Sequence, residues 1–233
     1  MDKGRILIKL SGEALENGKG GVAEDALIKI AKQLKELIAE GYQVGVVLGG
    51  GNFFRGVQAK ESLPLRRVQA DQIGMVATVM NGMILSEVLT AQKIPHALLS
   101  ALSCEVVETY SDARMNKALH DKGLVIFVGG TSHPYFTTDT AAALRATEMK
   151  ADLLLKATTK VDGVYNKDPR THADAVKYEK ISYKQALDEE LKILDLTAFT
   201  ICMENKIKIR VYNYEQHSLL EALQNQHCGS TVG

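Results

Sequence analysis

The sequence predicts an α/β protein, a three-layer α/β/α sandwich built on a mainly parallel open sheet. Strand-length apolar runs alternate with amphipathic helical stretches for most of the 233 residues, the pattern of parallel strands covered by helices on both faces. Three of those runs, ending at Leu10, Leu48 and Val128, open into loops of glycine, serine or threonine. In such sheets ligands sit beyond the carboxyl ends of the strands. No repeat, low-complexity block or composition break marks a linker, so residues 1–233 read as a single domain.

Taken in order, Arg5-Ile6-Leu7-Ile8-Lys9-Leu10 is a buried strand interrupted by one lysine, and it empties into Ser11-Gly12-Glu13. Asn17 to Gly21 is rich in glycine, which suggests mobility. From Glu24, Leu27, Ile30, Leu34, Leu37 and Ile38 recur at helical spacing until Gly41 stops them. A second strand, Val44 to Leu48, runs into Gly49-Gly50-Gly51-Asn52-Phe53-Phe54-Arg55-Gly56. Glycines accept positive φ and carry no side chain, so their N–H groups can approach a phosphate, and Arg55 adds a fork of donors. A charged crossing from Lys60 to Arg67 leads to a long helix from about Asp71 to Gln92, whose methionines Met75, Met80 and Met83 suit a core or a subunit interface.

A short strand follows at 96–99, then a helix at 112–121 ended by Gly123. Leu124 to Val128 is the clearest strand, and it opens into Gly129-Gly130-Thr131-Ser132-His133-Pro134-Tyr135-Phe136 and Thr137-Thr138-Asp139, with Thr138 or Asp139 as the expected cap of the next helix. A strand at 151–156, helices near 182–191 and 195–205, a strand at 207–212 and a final helix near 215–225 complete the chain.

Lys plus Arg and Asp plus Glu both number 28, giving zero formal net charge. A general nucleic-acid binder carries a basic excess, so no obligatory nucleic-acid partner is expected. No run of about 18 apolar residues argues for a membrane span, and Met1 to Gly4 leads straight into a strand instead of a signal peptide. Cys104, Cys202 and Cys228 are odd in number and far apart, which fits a reducing cytoplasm better than a disulfide framework. His227-Cys228 is too small a set for a structural metal, and no protein-held metal is expected.

The phosphate-binding G-x-x-x-x-G-K-[ST] loop, an intact G-x-G-x-x-G, the protein-kinase signatures and the G-x-S-x-G elbow are all missing from the sequence. What stands is a set of phosphate-friendly loops with cations and carboxylates among them. Phosphoryl transfer needs positioning and charge neutralisation more than a nucleophilic side chain. Lys9, Arg55 and Lys160 are the cations available for that task. Asp139, Asp168 and Asp195 are carboxylates able to order Mg²⁺ or hold the lysines, with helix capping as the plainer role for Asp139, Asp195 and Asp71.

Lys9-Leu10-Ser11-Gly12-Glu13-Ala14-Leu15, Gly49 to Gly56, Pro134 to Asp139 and Val161-Asp162-Gly163-Val164-Tyr165 with Asp168-Pro169 together resemble the bacterial-type uridylate kinases of the amino acid kinase family. The likeness spans nearly the whole chain. It implies ATP-dependent phosphorylation of UMP to UDP with Mg²⁺, within pyrimidine nucleotide biosynthesis, by a homo-oligomer, expected to be a hexamer. It implies Lys9 and Asp139 as catalytic residues, and Lys9, Leu10, Ser11, Gly12, Gly51, Arg55, Thr159, Tyr165 and Asp168 on the ATP side. The UMP side would comprise Gly50, Asp71, Thr131, Ser132, His133, Pro134, Tyr135, Phe136, Thr137 and Thr138. On this reading the triple glycine divides two ligands, Gly50 toward UMP and Gly51 with Arg55 toward ATP. Three departures stand out: Thr158 and Thr159 both precede Lys160, leaving open which meets the nucleotide; Asn17 to Val22 is short; and Ser132-His133 replaces a common glycine–asparagine.

Overall fold

The computed structural model describes residues 3–16, 21–54 and 64–233. Arg55, Gly56, the glycines at 18 and 20 and the crossing from Lys60 to Leu63 lie outside the described residues.

The main sheet takes strands β1 (Arg5–Leu10), β2 (Gln43–Leu48), β3 (Ala97–Ser100), β4 (Glu108–Thr109), β5 (Leu124–Val128), β6 (Leu153–Thr158), β9 (Lys180–Ile181), β10 (Lys208–Asn213) and β11 (Ser230–Val232). Their order is β4-β3-β5-β2-β1-β6-β10-β11-β9, and only the β10–β11 pair is antiparallel. The short β7 (Val164–Tyr165) and β8 (Lys177–Tyr178) form a separate antiparallel pair. The helices are α1 (Glu24–Ala39), α2 (Arg67–Ala91), α3 (Asp112–Lys122), α4 (Thr138–Glu148), α5 (Tyr183–Asp188), α6 (Leu196–Glu204) and α7 (Leu219–Gln224).

Strand alternation divides the core. Ile6, Ile8 and Leu10 with Val44, Val46 and Leu48 face α1, α2 and α7. Leu7, Val47, Val125, Phe127 and Leu154 face α3, α4 and α6, where α4 presents Ala141, Ala142, Ala143 and Ala146, all buried. The result is the expected three layers. Lys9 shares a face with Leu7, and in the parallel register it stands opposite Lys156, so both ammonium groups emerge on the α4 side.

Several boundaries differ from the sequence reading. The long helix begins at Arg67 and not at Asp71, with Arg66 as an N-cap that makes no side-chain capping bond. Asp71 is therefore inside the helix and is not its cap. The cap of α4 is Thr137, which accepts from the N–H groups of Asp139 and Thr140, and neither Thr138 nor Asp139 fills that role. Asp195 does cap α6, accepting from the Ala198 N–H. The last helix is shorter than 215–225 because Ser218 and Glu221 form a capping box that starts it at Leu219. By length and composition α2 would suffice to cross a membrane. It lies instead against the sheet, contributing Val79, Leu85 and Leu89 to the core.

Candidate active site

The β-strands whose loops matter, β5, β2, β1 and β6, are neighbours at the centre of the sheet, so their carboxyl ends form one edge. There Lys9 Nζ lies 3.1 Å from Asp139 Oδ1, and Lys156 Nζ donates to Asp139 Oδ2 at 2.8 Å and to the Ile193 carbonyl at 2.7 Å. Side-chain exposures of 13, 14 and 20% for Lys9, Asp139 and Lys156 leave little solvent screening between them. Burial pushes the Asp139 carboxyl up, yet Lys9 and Lys156 outweigh that and hold it below its ordinary value. Burial pulls the Lys156 ammonium below the usual lysine range; Asp139 opposes the shift and the Lys9 charge adds to it. Asp139 also sits in the first turn of α4, where the helix dipole favours a carboxylate. Asp195 accepts from the hydroxyls of Thr137 and Thr140, the latter at 2.9 Å, and so ties the starts of α4 and α6 together.

The triple-glycine loop is held by contact and not by unusual dihedrals. Gly12, Gly49 and Gly50 all lack positive φ, so of the two properties expected of the glycines it is the missing side chain, and not the dihedral freedom, that is used. A Cβ on Gly12 would come within 2.6 Å of the Gly51 nitrogen, one on Gly49 within 2.8 Å of the Gly12 nitrogen, and one on Gly50 within 2.7 Å of the Gly74 carbonyl. The loops after β1 and β2 are thus pressed against each other and against α2. In the loop after β5, positive φ does occur, at Gly129 (78°), Gly130 (58°), Ser132 (64°) and Tyr135 (72°).

A cleft of about 390 Å³ is lined by Gly50, Gly51, Asp71, Gly130, Thr131, Phe136, Thr137 and Thr138. Asp71 pairs with Arg67 at 2.7 Å and accepts the Tyr135 N–H at 2.8 Å, tying α2 to the β5 loop. Ser132, His133, Pro134 and Tyr135 are outside the lining and shape the turn: the Thr131 hydroxyl donates to the His133 carbonyl, and the Tyr135 ring packs on Arg67.

A second cleft, of about 540 Å³, is lined by Lys156, Thr158, Lys160, Tyr165, Asp168 and Ile193 among others. Tyr165 and Asp168 were expected there. Of the two threonines, Thr158 lines the space and Thr159 does not; the Thr158 hydroxyl accepts from the N–H groups of Lys160 and Val161. Burial and the Asp162 carboxylate push the Tyr165 phenol up to about 12. Hydrogen bonds from Arg170 lower the Asp168 carboxyl to about 2. Leu10, Ser11 and Gly12 line neither cleft. They form backbone between the two, with Gly12 against Gly51 on one side and Glu13 paired to Lys160 at 3.2 Å on the other. Gly51 therefore faces the first cleft beside Gly50, instead of the second.

Lys156 and the buried pair Asn52 and Asn81 were not singled out from sequence. Lys156 interrupts the apolar run Leu153-Leu154-Leu155 as Lys9 interrupts the first strand, a usable signal. Asn81 stands amid apolar residues, four positions before fully buried Leu85, the mark of a polar side chain turned inward.

Comparison with known proteins agrees with this geometry. Residues 4–213 match the Amino acid kinase family. The chain is 43% identical over 231 residues to the uridylate kinase of Chlamydia abortus, covering 98% of this chain and 94% of that one. It is 47% identical over 214 residues to the uridylate kinase of Protochlamydia amoebophila, covering 91% and 84%. Among solved structures it resembles the UMP kinase of Ureaplasma parvum, with a TM-score of 0.95, 38% identity and full coverage of both chains. It also resembles that of Bacillus anthracis, with a TM-score of 0.94, 31% identity and coverage of 100% and 97%.

Proposed function

The chain belongs to the amino acid kinase family, and from that premise we propose that it transfers the γ-phosphoryl group of ATP to UMP, giving ADP and UDP. The observation carrying this reading is the placement of two clefts beside one lysine–aspartate cluster. Lys156 lines the larger cleft, while Thr138, the chain neighbour of Asp139, lines the smaller. ATP is assigned to the larger cleft, with Tyr165 and Thr158 toward the adenosine, and UMP to the smaller, with Asp71 toward the ribose.

In the proposed step a phosphate oxygen of UMP attacks the γ-phosphorus in line, and the bond to the β,γ-bridging oxygen breaks as ADP leaves. Charge spreads over the equatorial oxygens of the transferring group. Lys9, freed from one oxygen of Asp139, and the N–H groups of the glycine loops meet that charge. Asp139 keeps two like charges side by side and attacks nothing. Mg²⁺ would arrive on ATP and neutralise phosphate charge, since it is ordinarily held by substrate phosphates, water and at most a couple of carboxylates. Both Asp139 oxygens already face lysines, which fits an ion carried by the nucleotide more than one held by the chain.

Three coarser features complete the proposal. Ile73, Val76, Met80 and Met83 form an exposed apolar stripe on α2, which supports a homo-oligomer, with a hexamer as the expected form. The free cysteines Cys104, Cys202 and Cys228 fit a cytoplasmic setting. Making UDP from UMP would serve pyrimidine nucleotide biosynthesis.

The test is ADP release from ATP and Mg²⁺ with a panel of nucleoside monophosphates, run beside acetylglutamate, carbamate and isopentenyl phosphate. Release with UMP, abolished by a chelator, is expected. Release with one of the other acceptors alone would assign a different member of the family, and binding of ATP and UMP without release would make the protein a nucleotide sensor.

A further inference from the structure

Beyond the groups that meet substrate, we infer that Asn81 of α2 and Asn52 of the triple-glycine loop act as a pair of positioning residues for phosphoryl transfer; this rests on the function proposed above. Asn81 is fully buried and Asn52 is 6% exposed. Asn81 Nδ2 donates to the Gly49 carbonyl at 2.7 Å and to Asn52 Oδ1 at 2.7 Å. Asn52 Nδ2 donates back to Asn81 Oδ1 at 3.0 Å and to the Gly21 carbonyl at 2.8 Å. A primary amide has two N–H donors, and here all four donors of the pair are used. A closed buried network of this kind rigidifies what it holds.

What it holds is the backbone on which the site depends. Gly49 leaves the sheet by donating to the Leu10 carbonyl, and its own carbonyl, turned toward α2, is fixed by Asn81. Gly50 and Gly51 follow and line the smaller cleft. Asn52 then locks the far end of the loop and, through the Gly21 carbonyl, the residues that lead into α1. A Cβ on Gly12 would come within 2.7 Å of Asn52 Oδ1, so the same amide borders the backbone between the two clefts. Since a misplacement of about 1 Å can cost roughly a hundredfold in rate, removal of this pair is expected to act on turnover before it acts on binding.

The test compares Asn81→Ala, Asn52→Ser and their double variant with Leu85→Ala, a truncation of a fully buried core residue one turn further along the same helix. Expected for each asparagine variant is a fall in kcat per folded molecule of about tenfold to a hundredfold, with KM for ATP and UMP moving less than roughly threefold. The double variant should be no worse than the worse single, because both break one network. Leu85→Ala should lose stability and keep kcat. Asn52→Ser keeps the proposal falsifiable where Asn81→Ala does not fold. Amide hydrogen exchange at residues 49–54 is read in parallel and should quicken in Asn52→Ser. Unchanged kcat, a loss confined to both KM values, a kcat loss matched by Leu85→Ala, or unchanged exchange would each overturn the assignment. A wild-type protein that releases no ADP with UMP would instead remove the proposed function, and the exchange result would still decide whether the pair positions the loop.

Discussion

Two ammonium groups in register on adjacent strands repel each other, and a carboxylate set between them offsets that repulsion. Asp139 supplies it, one oxygen to each lysine. Lys9→Ala is expected to leave the fold intact, because Lys156 still neutralises Asp139, and to lower kcat by about 10²–10³-fold in a coupled ADP-release assay; unchanged turnover removes Lys9 from the transfer step. The same cluster sets an acid limit. The Asp139 pKa is lowered from 3.8 on folding, so its contribution to stability is present above that unfolded value and is lost as pH falls through the lower folded value. Urea midpoints of the wild type should therefore drop on acidification below about pH 3.8, and less steeply in Asp139→Asn. Lys9 was legible in the sequence because a lysine breaking a buried strand is conspicuous. Lys156 gives the same signal, but its partnership with Lys9 exists only through the β1–β6 register, which no local pattern carries.

At the scale of the element, α2 is a beam with two different sides. Asp71, Thr78 and Asn81 turn toward the site, where Thr78 Oγ1 accepts the Gly129 N–H at 2.9 Å. Its two glycines illustrate how one substitution changes sign with surroundings. A Cβ on Gly82 would sit 2.2 Å from Val128 Cγ1, whereas one on Gly74 would meet nothing within 4 Å. Gly82→Ala is expected to destabilise by about 1–3 kcal/mol through overpacking, and Gly74→Ala to stabilise by roughly 0.5–1 kcal/mol through helix propensity. Urea unfolding of the two variants checks both signs. The helix itself was legible from its apolar spacing, but its first turn was not. Arg66 makes no side-chain cap and Arg67 to Ala70 carry no start signal, so Asp71, a good capping residue by type, drew the boundary too late.

For the whole molecule, the long apolar strands and their alternation with helices sufficed to foresee a mainly parallel three-layer sandwich. The edge was less legible: β4, β9 and β11 are two or three residues long, too short for alternation to register, and β11 folds back antiparallel on β10, the strand just before it in the chain. The smaller cleft draws on two of the loops expected to converge, those after β2 and β5, whereas the larger is lined mostly by residues after β6 that the three-loop pattern did not include. Exposures of 40, 52, 44 and 38% for Ile73, Val76, Met80 and Met83 leave an apolar stripe in water. Sedimentation of the wild type should give an oligomer, and Val76→Asp with Met80→Glu should shift it to a smaller species; a monomeric wild type would sink the proposal.

The run of alanines on α4 has a further meaning for the lysine–aspartate cluster. Aspartate has a short side chain, so its reach to Lys9 and Lys156 is set by how low α4 settles onto the strands, and four buried alanines make that layer thin. They work as a shim: hydrocarbon thickness at Ala142 and Ala143 regulates a distance between charges about one helical turn away. Enlarging one of them, as in Ala143→Leu, would lift the carboxylate from the ammonium groups without touching either. In this protein the volume of an inert side chain is thus a setting of the electrostatics.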